Sequence, residues 1–153
     1  MDYKIVERSQ FTITGFTQDF TAADAFLKIP AYMNTMTTHI NENKLPIGDL
    51  AVTINDEQDF NTIHFYLASE GKKDIAGCSS YTFPDGLWLQ FPCYGAYPYA
   101  LQQLAYEVYN DFLPSHPEFS IRFDASIDYL SAGDRKSPDY YSEFWLPIEK
   151  RSD

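Results

Sequence analysis

Two similar segments of the chain carry polar residues that could do chemistry at equivalent places. Residues 63–68 read Ile-His-Phe-Tyr-Leu-Ala and residues 142–147 read Ser-Glu-Phe-Trp-Leu-Pro, which aligns His64 with Glu143. Both segments predict β-strands, and a strand sends alternate side chains to opposite faces. The aromatic and aliphatic residues can then enter a core while the two polar residues share the other face. The pairing predicts a duplicated fold with a polar site near its pseudo-twofold axis.

The carboxylate of Glu143 lies in a segment that is otherwise aromatic and aliphatic. Burying an unpaired charge is costly, so this group must be solvated, paired or used. Aromatic rings and an imidazole could form a wall beside it, and we take the candidate ligand-binding residues to be Glu143, Trp145, Tyr141, His64, Tyr66 and Trp88. Ring faces attract cations and the acid neutralises them, which suits a lipophilic cation or a planar aromatic molecule.

All of these residues except Trp145 also have a structural interpretation. Glu143 could point to water from a one-sided sheet. Trp88 and the tyrosines Tyr66 and Tyr141 could simply pack on strand faces, where such residues are common. His64 could be a second polar wall member, a general acid–base partner or a satisfied structural histidine, since the unperturbed pKa of histidine is about 6.5.

Length and composition favour one globular domain that spans residues 1–153. The chain has 44% hydrophobic and 22% charged residues, which is enough apolar material for one sizeable core. Its aromatic content of 17% is more than such a core needs, so some rings are expected to line a groove.

Charge and cysteine content limit the partners that the protein is expected to have. The net charge of −11 repels phosphate backbones and concentrates cations, so direct binding of nucleic acid is not expected. No run approaches the roughly 18 apolar residues that cross a bilayer, and the first residues lack a signal-peptide pattern, so we expect a cytoplasmic protein without membrane contact. Cys78 and Cys93 lie far apart with no clustered histidine, which predicts reduced thiols, no metal site and no cofactor.

Hydrophobic periodicity predicts an α+β fold made of two strand-helix-strand-strand modules, as pseudo-repeats of about 3–70 and 81–150. The first module is predicted as strand 11–16 ending at Gly15, helix 30–42 with Pro30 in its first turn, and strands 50–54 and around Phe65. The second is predicted as strand 87–91, a helix from beside Pro98 to near Pro114, a long strand 119–129 and a last strand 140–148.

Three stretches carry motifs longer than a single strand pattern. They are Gly-Leu-Trp-Leu-Gln-Phe-Pro-Cys-Tyr-Gly at 86–95, Asp-Phe-Leu-Pro-Ser at 111–115 and Ser-Glu-Phe-Trp-Leu-Pro-Ile at 142–148. These stretches resemble the GyrI-like small-molecule-binding family, the effector-binding domain found alone or fused to AraC-type and MerR-type regulators. The resemblance covers about residues 3–150. It implies a mainly antiparallel sheet with both helices on one face, a ligand groove between the modules and a strand carboxylate, here Glu143, that faces the ligand.

The resemblance implies three classes of function. The leading hypothesis is a multidrug-type binding module that acts as a stand-alone sensor, sequestering or regulatory protein, because no helix-turn-helix precedes Tyr3. The alternative is a hydrolase that opens strained electrophilic rings of genotoxic natural products, with Glu143 as general base and His64 or a tyrosine assisting the leaving group. A third is a protein–protein regulator like the gyrase-inhibiting members, which would add a protein partner.

Overall fold

The computed structural model describes residues 1–151 and shows a mixed α+β fold, as the sequence predicts. The elements in that part of the chain are β1 (Lys4–Arg8), β2 (Phe11–Thr21), α1 (Ala22–Glu42), β3 (Leu50–Asn55), β4 (Thr62–Glu70), β5 (Ser79–Phe83), β6 (Gly86–Tyr94), α2 (Tyr99–Glu107), a π-helical turn (Val108–Phe112), α3 (Leu113–Ser115), β7 (Phe119–Ile121), β8 (Ala125–Leu130) and β9 (Tyr141–Lys150). They form two compact units. We call them the His64 unit (Gln10–Pro84) and the Glu143 unit (Met1–Ser9 together with the chain from Asp85 onward).

The His64 unit holds four antiparallel strands in the order β3-β4-β2-β5. Alternate residues of its central strands are buried on one face, among them Phe16, Phe65 and Leu67. Helix α1 covers this apolar face, where the ring of Tyr32 meets that of Phe65 with centroids 6.0 Å apart. The period-two pattern that predicts strand β4 therefore also decides which of its faces packs against the helix.

Strand β2 runs on through Gly15 to Thr21, so the prediction that it ends at the glycine was wrong. The glycine instead allows a close approach of β4. A Cβ at Gly15 would lie 2.2 Å from the carbonyl oxygen of Leu67, a distance that no side chain can occupy. An isolated glycine in a strand pattern can mark such an approach as well as a strand end.

Helix α1 begins at Ala22, well before the predicted start at Pro30, which lies inside the helix. The hydroxyl of Thr21 accepts a hydrogen bond of 3.3 Å from the backbone N–H of Asp24 and so caps the earlier start. Proline removes one helical hydrogen bond. The cap and the burial of an apolar stripe outweigh that loss, and the stripe contains Ala25, Met33 and Ile40. No helix among the described residues, α1 included, combines the length and apolar character needed to cross a membrane.

The Glu143 unit repeats the arrangement, with antiparallel strands in the order β1-β6-β9-β8 and β7 beside β9. Helix α2 and the π-helical turn pack on one face of these strands. The core that they share contains Leu89, Phe91, Leu101, Val108, Phe112, Phe144, Leu146 and Ile148. The predicted strand-helix-strand-strand order is thus present in both units.

The long strand predicted over 119–129 is two strands, β7 and β8, separated by residues 122–124. The register against β9 shifts by three residues at the break, from Ile121 opposite Ile148 to Ile127 opposite Trp145. Arg122 lies in the break and donates side-chain hydrogen bonds to the carbonyl oxygens of Ile148 at 2.9 Å and Leu87 at 3.1 Å. The extra residues therefore divide the predicted strand in two.

Each unit also has an edge strand that the sequence pattern did not predict. Strand β1 precedes β2 in the chain but pairs with β6, while β5 follows β4 and pairs with β2. Strand β1 is mostly exposed, so it has no clear alternation of buried side chains, which is the signal that strand prediction needs. Strand β1 and the residues just before it form one wall of a cavity in the Glu143 unit.

Candidate ligand-binding site

Strand β9 lies at the centre of the Glu143 unit, between β6 and β8. Phe144 and Leu146 are buried on the side of α2. The residues between and before them, Tyr141, Glu143 and Trp145, therefore lie on the opposite face. The alternation expected from the sequence is present in β9, and it leaves the carboxylate on the face away from the helix.

Both oxygens of Glu143 accept hydrogen bonds from side chains of its own strand. The hydroxyl of Tyr141 donates to Oε2 in a short contact, and the indole Nε1–H of Trp145 donates to Oε1 at 2.8 Å. The donors are neutral, so the carboxylate keeps its whole negative charge while its orientation is fixed. Burial, together with the hydrogen bond to the Glu143 carboxylate, raises the pKa of Tyr141 well above its ordinary value.

Neighbouring strands add aromatic rings around the carboxylate. Tyr129 of β8 lies opposite Glu143 and stacks on Trp145, with centroids 5.9 Å apart and planes 3° apart. Tyr94 of β6 lies opposite Tyr141, at a centroid distance of 5.2 Å, and is 73% exposed. Sequence reasoning missed both residues. Strand register would have identified them, because each stands on an adjacent strand beside a residue that was already a candidate.

A cavity of about 230 Å³ lies beside Glu143. It is lined by Asp2, Tyr3 and Lys4 of the N-terminal segment, Gln90 and Pro92 of β6, and Tyr141 and Glu143 of β9. Trp145, which is 9% exposed, does not line the cavity and affects it through its bond to the carboxylate. The cavity joins an acid, an aromatic hydroxyl and several polar groups at one exposed concave surface.

Trp88 lies on the same face of β6 as Gln90 and Pro92 but is 0% exposed. Phe123 packs edge-on against it at a centroid distance of 6.1 Å, and the guanidinium carbon of Arg122 lies 5.9 Å from the ring. No ligand can reach this ring in the structure. The position favours the packing interpretation of Trp88, and we leave it out of the proposed site.

His64 belongs to the other unit, where both of its ring nitrogens are engaged. Nδ1 lies 2.6 Å from Asp19 Oδ1 and Nε2 lies 2.9 Å from Asp56 Oδ2. The two carboxylates, Asp19 first, raise the pKa of His64, and the bond to His64 lowers the pKa of Asp56. The arrangement favours the satisfied structural histidine over an acid–base partner.

Tyr66 also belongs to the His64 unit and contacts Tyr81 at a centroid distance of 6.1 Å. Of the predicted set, the structure thus brings Glu143, Tyr141 and Trp145 together. It places Tyr66 beside a tyrosine of its own unit.

A second acid of the Glu143 unit, Asp128, lies on the helix side of β8. Its Oδ2 accepts a hydrogen bond of 3.0 Å from the hydroxyl of Tyr97, and burial raises the pKa of Asp128 to about 7. The sequence offered no signal for this residue, because an acid that alternates with Ile127 and Tyr129 is typical of a solvated strand face. In the described part of the chain, no group of three or more His, Cys, Asp or Glu side chains could hold a metal ion.

The chain belongs to the GyrI-like small molecule binding domain family, whose model matches residues 1–149. SAV2435, solved bound to tetraphenylphosphonium, superposes with a TM-score of 0.83 at 19% identity, over 97% of this chain and 94% of that one. A Staphylococcus aureus MU50 protein assigned to bacterial transcription regulation gives 0.83 at 20%, over 97% and 99%. A Vibrio cholerae integron cassette protein gives 0.67 at 19%, over 96% and 95%. At these identities the likeness concerns the fold. No curated protein sequence matches the chain.

Proposed function

We propose that this protein binds lipophilic organic cations and planar aromatic cations at Glu143, as a sensor, sequestering or regulatory module. The observation that carries the proposal is the carboxylate held by Tyr141 and Trp145 beside an open cavity. Small-molecule binding is the property for which the family is described, and SAV2435 is a relative in fold that binds a lipophilic cation.

The structure orients the Glu143 carboxylate before any ligand binds. A free carboxylate must lose water and rotational freedom before it pairs with a cation. Here Tyr141 and Trp145 already fix the group, and their neutral donors leave its charge uncompensated. Exposed ring surface of Tyr94 lies alongside, and a ring face attracts a cation and covers its apolar substituents. A neutral molecule of the same shape would gain only the apolar part.

Calorimetric titration of tetraphenylphosphonium and of neutral triphenylphosphine oxide tests the proposal. Glu143→Gln is expected to weaken the cation by about 2–5 kcal/mol, the usual effect of removing one member of a desolvated charge pair. The neutral compound is expected to lose much less. Glu118→Gln, an exposed glutamate of the same unit, is the matched control for net charge. If Glu143→Gln leaves the affinity for the cation within twofold of wild type while the variant stays folded, the assignment of Glu143 as the cation-binding residue is wrong.

The hydrolase alternative gives the same carboxylate a different task. Both oxygens of Glu143 already accept hydrogen bonds from Tyr141 and Trp145, which suits a carboxylate of fixed orientation better than one that changes partners during a proton transfer. His64, the other candidate acid–base group, has both nitrogens engaged by carboxylates. Hydrolysis of a strained-ring electrophile that is faster with the protein than in buffer, and that Glu143→Ala removes, would reverse the preference for binding.

We further propose that the protein works in the cytoplasm, where the free thiols of Cys78 and Cys93 would remain reduced. The net charge of −11 disfavours direct contact with nucleic acid, so a regulatory role would pass through a protein partner. A salt-sensitive micromolar complex with duplex DNA in a mobility-shift assay would contradict this part of the proposal.

A further inference from the structure

The cavity beside Glu143 is crossed by two rows of side chains with different polarity. In one row Glu143 lies between Pro92 of β6 and Tyr129 of β8. In the next row Lys4 of β1 lies opposite Gln90 of β6, which lies opposite Trp145 of β9. Lys4 and Gln90 both line the cavity. An acid and a base thus stand at different ends of one small site.

The N-terminal segment adds a second acid to the cavity, about 7 Å from Lys4 along the strand and about 10 Å from Glu143 across two strands. Asp2, two residues before Lys4, also lines the cavity. Continuing the register of β1 brings Asp2 alongside Pro92, into the row that contains Glu143. The acids then share one row, while the ammonium of Lys4 and the amide of Gln90 share the other.

Strand geometry gives the scale of the separation. Lys4 is two strands away from β9 and two residues along from Glu143. Strand spacings of about 4.8 Å and a rise of about 3.4 Å per residue place their Cα atoms about 12 Å apart. Both side chains reach into the same cavity, so one rigid two-ring molecule can touch both charged ends.

We propose that the cavity takes a dipolar ligand, an aromatic cation that carries an anionic or strongly hydrogen-bond-accepting group at its opposite end. Glu143 meets the cation, and Lys4 with the Gln90 amide meets the acceptor. This inference rests on the proposed function of Glu143 and adds the class of ligand that fits the whole cavity.

Desolvation supplies the selectivity. A ligand that covers Lys4 and Gln90 with hydrocarbon removes water from an ammonium and an amide without replacing its hydrogen bonds, which is unfavourable. An acceptor at that end restores them. The overall charge of −11 would by itself favour a simple cation over a zwitterion, so any preference for the zwitterion must come from a local group.

A matched pair of ligands tests this inference: the para-carboxyphenyl N-methylpyridinium zwitterion and its methyl ester, which is a simple cation. Wild-type protein is expected to bind the zwitterion about fivefold more tightly than the ester. Lys4→Met should bring the two affinities to near equality, mainly by weakening the zwitterion. Lys72→Met, at an exposed lysine of the other unit, removes the same charge and should keep the preference.

The outcomes separate this inference from the proposal on which it rests. A preference for the ester in wild-type protein, or a zwitterion preference that survives Lys4→Met, would overturn the dipolar ligand while Glu143→Gln still weakens both compounds. If neither compound binds at millimolar concentration, or both bind and Glu143→Gln changes neither affinity, the cation site itself is contradicted and the dipolar ligand with it.

Discussion

Strands β4 and β9 occupy the same place in their units, yet their polar residues obtain hydrogen-bond partners in opposite ways. His64 receives its partners from other elements, Asp19 of β2 and Asp56 of the segment after β3. Glu143 receives its partners from its own strand, Tyr141 and Trp145. The first arrangement ties three segments together through charged groups. The second fixes one charged group and ties nothing else to it.

The difference shows that one strand pattern can give a closed ion cluster in one unit and a carboxylate beside a cavity in the other. A histidine between two carboxylates has no nitrogen left for a ligand. A carboxylate held by neutral donors has its orientation determined and its charge still available, which is the state that a cation site requires. Equivalent positions in a duplicated fold are therefore poor guides to equivalent roles.

The largest expected effect is on stability and distinguishes Trp88 from Trp145, which both lie on the same sheet face as Glu143. Trp88→Ala should lower the free energy of unfolding by about 3–5 kcal/mol, because it removes a fully buried ring and leaves a cavity. Urea unfolding followed by circular dichroism measures it. The folded fraction should still bind tetraphenylphosphonium with wild-type affinity, and a large loss of affinity there would return Trp88 to the site.

Trp145→Ala should weaken tetraphenylphosphonium by about 1–3 kcal/mol and triphenylphosphine oxide much less, since the indole does not line the cavity and acts through its hydrogen bond to the Glu143 carboxylate. The substitution frees one oxygen of Glu143. Titration of both compounds into the folded variant measures the effect. An equal loss for both compounds would show instead that the indole contributes apolar contact to the ligand.

The smallest expected effect lies in the His64 unit and depends on pH. The pKa of His64 is raised by Asp19 and Asp56, so its contribution to stability is present below pH about 6.5 and is lost as pH rises through the raised pKa. His64→Gln should destabilise the protein at pH 5.5 by less than about 1 kcal/mol, because solvent screens this partly exposed cluster. Urea unfolding at pH 5.5 and 9 should show the gap between wild type and variant closing at the higher pH. A gap that widens would contradict this account.

The sequence predicted the features that depend on local periodicity. The faces of β9, the start of α2 near Pro98 and the antiparallel α+β class follow from alternation and helical spacing. It failed where a distant group decides the structure. Gly15 lies inside a strand that β4 approaches closely, and the strand predicted over 119–129 is divided because its register against β9 shifts by three residues.

The candidate site divides in the same way. Tyr141, Glu143 and Trp145 could be predicted together because they alternate on one strand. Tyr94, Tyr129 and Lys4 could not, because their proximity depends on strand register and on an edge strand without a hydrophobic pattern. The sequence could not decide between the two interpretations of Trp88, because burial under Arg122 and Phe123 has no local signal.

The central claim is that a cation binds against the Glu143 carboxylate. The Trp145 indole donates a hydrogen bond to that carboxylate, while Trp88 is buried in the core. The chain has two tryptophans, so its ¹⁵N–¹H spectrum should show two indole signals, assigned with Trp88→Phe and Trp145→Phe. Titration with tetraphenylphosphonium is expected to move the Trp145 signal and leave the Trp88 signal in place. Movement of the Trp88 signal alone, or no movement of either at a concentration where calorimetry detects binding, would contradict the claim.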